Sequence, residues 1–206
     1  MTDSLQPLRR TLAALLLATL APLAQALDYQ VVLDTTPLIG RAGYIAFDLL
    51  GGAPGTSNQA TLSAFTSTST LGLASVTGDV VGNLPAAVTL ASTSFFNEYL
   101  QAVTFAAGLT TFTLSVSNQH VLGDLPDQFA LFLLDPTLAP FATSDPTGAG
   151  AMLVIDLLAQ PTPQLYSSVW ATVSLVPEPA PLSMALAGVL VLLLVGARVR
   201  GQRPAV

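Results

Sequence analysis

The stretch YLQAVTF (Tyr99–Phe105), followed after a short Gly-containing break by TFTLSVS (Thr111–Ser117), decides the fold. In the second segment Phe112, Leu114 and Val116 alternate with Thr and Ser. That is the period of two of a strand with one buried face, and no helix can use it. Working outward, YQVVL (Tyr29–Leu33), GYIAFDL (Gly43–Leu49), ATLSAF (Ala60–Phe65) and a weaker run at Leu71–Val76 read the same way. So do QFALFLL (Gln128–Leu134), AMLVIDL (Ala151–Leu157) and SSVWATVSL (Ser167–Leu175). Gly, Pro, Asp and Asn separate them, as turn chemistry requires. No stretch in this region pairs a helical period with caps over three turns. Eight to ten short strands predict an all-β chain, an antiparallel β-sandwich of jelly-roll type. The competing reading is an α+β fold with a short helix within Leu84–Glu98.

Composition narrows the function classes. The chain has 206 residues, 51% hydrophobic and only 9% charged, with no Cys, one His and a net charge of −6. That excludes a disulfide scaffold, a thiol enzyme and a Cys-ligated zinc site. Residues 27–176 carry ten Asp or Glu against Arg41 alone, a formal charge of −9. Such a domain is soluble and repels nucleic acid.

The two ends read as addresses. Arg9 and Arg10 precede the apolar run TLAALLLATL (Thr11–Leu20), Pro22 breaks it, and Ala24-Gln25-Ala26 fits a small-x-small cleavage site. Residues 1–26 are therefore expected to be a signal peptide, read by the Sec translocon and cut by signal peptidase. Near the other end, Leu182–Ala197 is a sixteen-residue apolar segment behind Pro179 and Pro181, and Arg198, Arg200 and Arg203 follow it. As a helix it reaches about 24 Å, short of a full bilayer core, and snorkelling Arg side chains extend it. The Arg cluster stays cytoplasmic by the positive-inside rule. Both ends thus export the domain between them, residues 27–175.

Immediately before that segment stands Val176-Pro177-Glu178-Pro179. Two prolines hold such a peptide extended, a form that a protease groove accepts. A signal peptide, V-P-E-P, one apolar helix and an Arg cluster together resemble the PEP-CTERM sorting signal of Gram-negative bacteria, here over residues 176–206. The resemblance implies recognition by an exosortase in the inner membrane. Cleavage near the motif would then release the domain to the cell surface or extracellular matrix. It also associates the chain with exopolysaccharide, biofilm and adhesion. Phe95–Tyr99 and Pro126–Asp135 further resemble segments of a short-core group of such proteins, which implies a shared fold and assigns no activity.

Candidate chemistry is sparse. His120 stands alone in SNQHVLGD and no G-x-S-x-G elbow exists, so a Ser-His-Asp triad is not expected. Glycoside hydrolysis needs two carboxylates, and Glu98, the one Glu of the domain, is the leading candidate for one of them. The expectation remains a non-enzymatic protein without a cofactor. Calcium takes oxygen ligands, which makes Asp124, Asp127, Asp135 and Asp145 candidates for a structural ion, although no D-x-D-x-D-G loop is present. Sugar rings stack on aromatic faces, which nominates Trp170 and Tyr99, with Tyr29, Tyr44 and Tyr166 as further aromatics. The TSTST run at Thr66–Thr70 reads as a loop or edge strand able to carry O-linked sugar. No Asn-x-Ser/Thr sequon occurs.

Overall fold

The structure, a computed structural model, describes residues 27–52, 57–158, 160–170 and 172–177. These form two packed antiparallel sheets, an all-β sandwich. In chain order the strands are β1 (Leu27–Asp34), β2 (Ala42–Leu50), β3 (Gln59–Ser67), β4 (Thr70–Thr77), β5 (Val80–Gly82) and β6 (Val88–Ala91). They continue as β7 (Phe96–Thr104), β8 (Leu109–Val116), β9 (Gln128–Leu134), β10 (Leu153–Asp156), β11 (Pro163–Leu165) and β12 (Thr172–Pro177). The first sheet runs β12-β1-β8-β3-β6-β5 and the second β11-β10-β9-β2-β7-β4. Among the described residues the only helical element is a 3-10 turn at Thr36–Leu38, so none is long and apolar enough to cross a membrane.

Alternation sets the layers. Ile45, Phe47 and Leu49 of β2 point inward, as do Phe112, Leu114 and Val116 of β8, and all are essentially inaccessible to water. The two central strands meet ring to ring: Phe47 and Phe112 stand edge to face, 5.4 Å between centroids at 86°. Phe65 stacks on Phe112 at 6.2 Å, and Tyr99 lies 6.4 Å from Phe47. β3 carries a bulge between Ser63 and Thr66, where Ala64 takes a left-handed φ of 49°. The extra residue bends the strand and re-aims Phe65 into the core.

Two expectations are revised, and two others are borne out with fuller bounds. Leu84–Glu98 is not a helix: it contains β6 and the start of β7. The apolar run Ser167–Leu175 is strand only from Thr172, with Trp170 in the bend before it. The weak Leu71–Val76 reading is a full edge strand, β4. Thr66–Thr70 spans the end of β3, a two-residue turn and the start of β4.

The register defines two ends of the sandwich. Leu27 at the start of β1 lies opposite Val116, and Pro177 at the end of β12 lies opposite Tyr29. The links β2–β3, β6–β7, β8–β9 and β10–β11 turn at this same end. Asp127 binds three of these links together. Its Oδ1 accepts the Gly52 N–H at 2.7 Å, and its Oδ2 accepts Asn58 Nδ2 at 3.0 Å and the Ser92 hydroxyl. Asn58 in turn receives the Gln119 N–H at 2.7 Å and donates to the Gln119 carbonyl at 2.7 Å. Gly52 has to be glycine here, because a Cβ would stand 2.3 Å from the carbonyl oxygens of Leu125 and Pro126.

Truncating the ring that joins the sheets tests this architecture. Phe112→Ala should lower unfolding free energy by about 3–5 kcal/mol in a urea titration. A loss below about 1 kcal/mol, the range of an ordinary exposed substitution, would contradict its central place.

Candidate functional site

The outer face of the second sheet holds the groups whose environment is unusual. On β2 the residues facing outward are Tyr44, Ala46, Asp48 and Leu50, the set complementary to Ile45, Phe47 and Leu49. Ala46 pairs with Leu100 of β7 and with Phe132 of β9. Although they lie on an outer face, Ala46, Leu100 and Leu134 are buried, with Tyr44 and Phe132 packed over them. Beside Tyr44, a shallow cavity of about 220 Å³ is lined by Thr70, Gly72, Ala102, Thr104 and Pro136. Its lining combines small residues, two threonines and the Tyr44 ring.

One row further along β2, Asp48 lies directly opposite Glu98 of β7, and Ala130 of β9 flanks it on the other side. Cross-strand neighbours have Cβ atoms about 5 Å apart, so two like charges crowd each other. Asp48 Oδ1 is buried and has no hydrogen-bond partner. Desolvation, reinforced by Glu98, pushes its carboxyl up to about 7, and burial raises Glu98 as well. The pair therefore favours states that retain a proton. Its distance from the cavity is about 13 Å, four residues along β2.

The aspartates nominated for calcium do not gather into one cluster. Asp127 is the buried hub of the loop network, and Asp124 is exposed in the β8–β9 link. Asp127 and Asp135 bracket β9, about 26 Å from end to end. Asp135 and Asp145 each close a local turn, accepting the N–H and hydroxyl of the Thr two residues on. At Asp135 the Thr137 hydroxyl leads in holding the carboxyl below its usual range. At Asp145 desolvation raises the carboxyl, but the Thr147 hydroxyl and backbone amides outweigh it and the net shift is downward. Asp34 and Thr36 repeat the motif. Among the described residues no three His, Asp or Glu come together as a metal site.

The nominated sugar contacts also separate. Tyr99 is corrected: its ring is fully buried in the core, and its hydroxyl donates to Asn83 Oδ1 at 2.6 Å. That side chain offers nothing to a ligand. Trp170 is half-buried against Phe141, at 5.7 Å, and the Arg41 guanidinium lies over its ring at 4.6 Å. One face of the indole is thus already engaged by a cation. Val176 and Pro177 belong to β12 and pair with Gln30 and Tyr29. Ala24, Ala26, Glu178, Pro179, Arg198, Arg200 and Arg203 lie outside the described residues, as do the expected signal peptide and C-terminal helix.

Asp48 and Tyr44 were visible in GYIAFDL, since alternation alone puts Tyr, Ala and Asp on one face. Their meeting with Glu98, Leu100 and Phe132 depends on pairings between strands distant in sequence. No family model matches the chain, and neither the curated proteins nor the solved structures contain a match.

The raised carboxyl has a measurable consequence. Unfolded, Asp48 releases its proton near pH ~4. Folded, it holds the proton to about 7. Between these values the unfolded chain binds fewer protons, so stability falls as pH rises. Asp48→Asn should remove much of that slope and stabilise the domain at pH 7.5, by at most about 4 kcal/mol. Equal urea midpoints for wild type and variant at pH 4.5 and pH 7.5 would refute the assignment.

Proposed function

We propose that this chain is an exported, non-enzymatic component of the cell surface or extracellular polysaccharide matrix, sorted by an exosortase in a Gram-negative bacterium. The observation that carries the reading is the pairing of β1 with β12. Tyr29, close behind the expected signal-peptidase site, pairs with Pro177 of V-P-E-P, so the sheet places the residues next to both expected processing sites at one end. Its path in the cell is then export by the Sec translocon, transient anchoring in the inner membrane by residues 182–197, and release near the sorting motif. The strand order supports a jelly-roll reading: β1, β8, β3 and β6 are consecutive in one sheet, and β2, β7 and β4 in the other.

Glycan binding is the second reading, favoured by the cavity beside Tyr44 and the ring of Phe132 on the same face. A sugar's apolar face stacks on such rings, and Thr70 and Thr104 offer hydroxyls at the rim. A hydrolase built on Glu98 gains a partner carboxyl in Asp48, but the cavity lies about 13 Å from that pair. A reaction needs acid and substrate in contact. The non-enzymatic reading is therefore preferred.

Two measurements test these readings. Intact mass of protein recovered from the native host should correspond to a chain lacking both termini. Pro177→Ala/Glu178→Ala/Pro179→Ala should retain the C-terminal segment. Wild-type protein that keeps residues 177–206 would instead be a permanent membrane protein. For glycan binding, Tyr44→Ala/Phe132→Ala should weaken retention on host exopolysaccharide about tenfold, the loss of two stacking contacts. Unchanged retention would remove this face from the account.

A further inference from the structure

We infer that the end of the sandwich from which both chain termini depart docks onto a zwitterionic phospholipid surface. Leu27 lies at the start of β1 and Pro177 at the end of β12, and Tyr29, two residues from Leu27, pairs with Pro177 at about 5 Å, so both ends lie at one end of the sandwich. Only four residues, five Cα–Cα steps, separate Pro177 from Leu182, where the apolar segment begins. Fully extended, they span at most about 18 Å. This inference rests on the anchoring reading above. A helix inserted at Leu182 holds that end of the domain within a loop's length of the bilayer.

The links at this end present apolar side chains to water. In the β8–β9 link, Leu122 is 96% exposed and Leu125 74%, with Val121 beside them. Phe95, in the β6–β7 link, is 77% exposed, and Phe96 and Leu158 are also accessible. Exposed leucine and phenylalanine at loop tips are costly in water and favourable at the headgroup boundary. The network of Asp127, Asn58 and Ser92 joins the β2–β3, β6–β7 and β8–β9 links, so these tips are held as one surface. The domain's charge of −9 opposes an anionic surface, which selects a zwitterionic one.

The single Trp makes the test direct. Trp170 adjoins the start of β12, where Thr172 pairs with Asp34, about 23 Å along β1 from the docking end. The uncleaved full-length chain is reconstituted in phosphatidylcholine bilayers with brominated acyl chains, which quench indole emission on contact. A Trp170→Phe/Leu122→Trp chain should be quenched severalfold, and the natural Trp170 should not. Adding Phe95→Asp/Leu125→Asp to the reporter chain should restore emission. If the reporter stays bright while the chain sediments with the bilayers, docking is wrong and the anchor stands. If the chain does not sediment with bilayers at all, the anchoring reading fails and docking falls with it.

Discussion

The edge-to-face contact of Phe47 and Phe112 is the constraint on which the other features depend. Each ring sits on the middle strand of a trio, β9-β2-β7 in one sheet and β1-β8-β3 in the other. With no cysteine and one arginine within the domain, no cross-link and little ion pairing can hold the sheets in register. Burial of the inner faces has to do it, and rings offer the most area per residue. The quadrupoles add geometry to that area, since a T-shaped pair fixes the relative position of two strands in a way that aliphatic contacts do not.

Next to this apolar centre the inner face of β7 is polar, and its groups are internally satisfied. Asn97 donates to the carbonyls of Leu49 and Ser94 and accepts the Asp79 N–H. Gln101 donates to the carbonyl of Gly72, where the β4 pairing shifts register. Tyr99 accepts the Leu84 N–H. Irregular backbone beside a core leaves N–H and C=O groups without ladder partners, and leaving them unpaired costs more than the side chains that answer them. β7 therefore supplies both packing and the partners that let the β4 edge and the β5–β6 link close over the core.

What the sequence made legible follows from range. Alternation is local, so most strands, the burial of Phe112 and the outward face of Asp48 are readable within seven or eight residues. The cues fail where tertiary pairing overrides composition. Trp170 sits in an apolar run that looks like strand, yet the ladder of β12 begins only at Thr172, and the indole instead packs on Phe141 under Arg41. Tyr99 looks like a surface ring beside Glu98, but one residue of phase decides between outer face and core. Asp127 reads as a loop ligand because its partners Gly52, Asn58 and Ser92 come from sequence 35 to 75 residues away. The turns at Asp34, Asp135 and Asp145 were recoverable: all three are D-x-T, a spacing at which one carboxylate oxygen reaches both the N–H and the hydroxyl.

The end of β12 connects the fold to the proposed processing. Val176 and Pro177 belong both to the sheet, opposite Gln30 and Tyr29, and to the motif a sorting protease would read. A central strand would make that double use costly, because drawing the motif into a groove would break ladder bonds on both sides. β12 is an edge strand, bonded to β1 alone, and proline has no N–H to contribute there. Peeling back its last two residues leaves β1 paired to β8 over its whole length and leaves the ring contacts of the core intact. A protease that drew Val176 and Pro177 out of this edge strand would thus leave the core ladder of the domain in place.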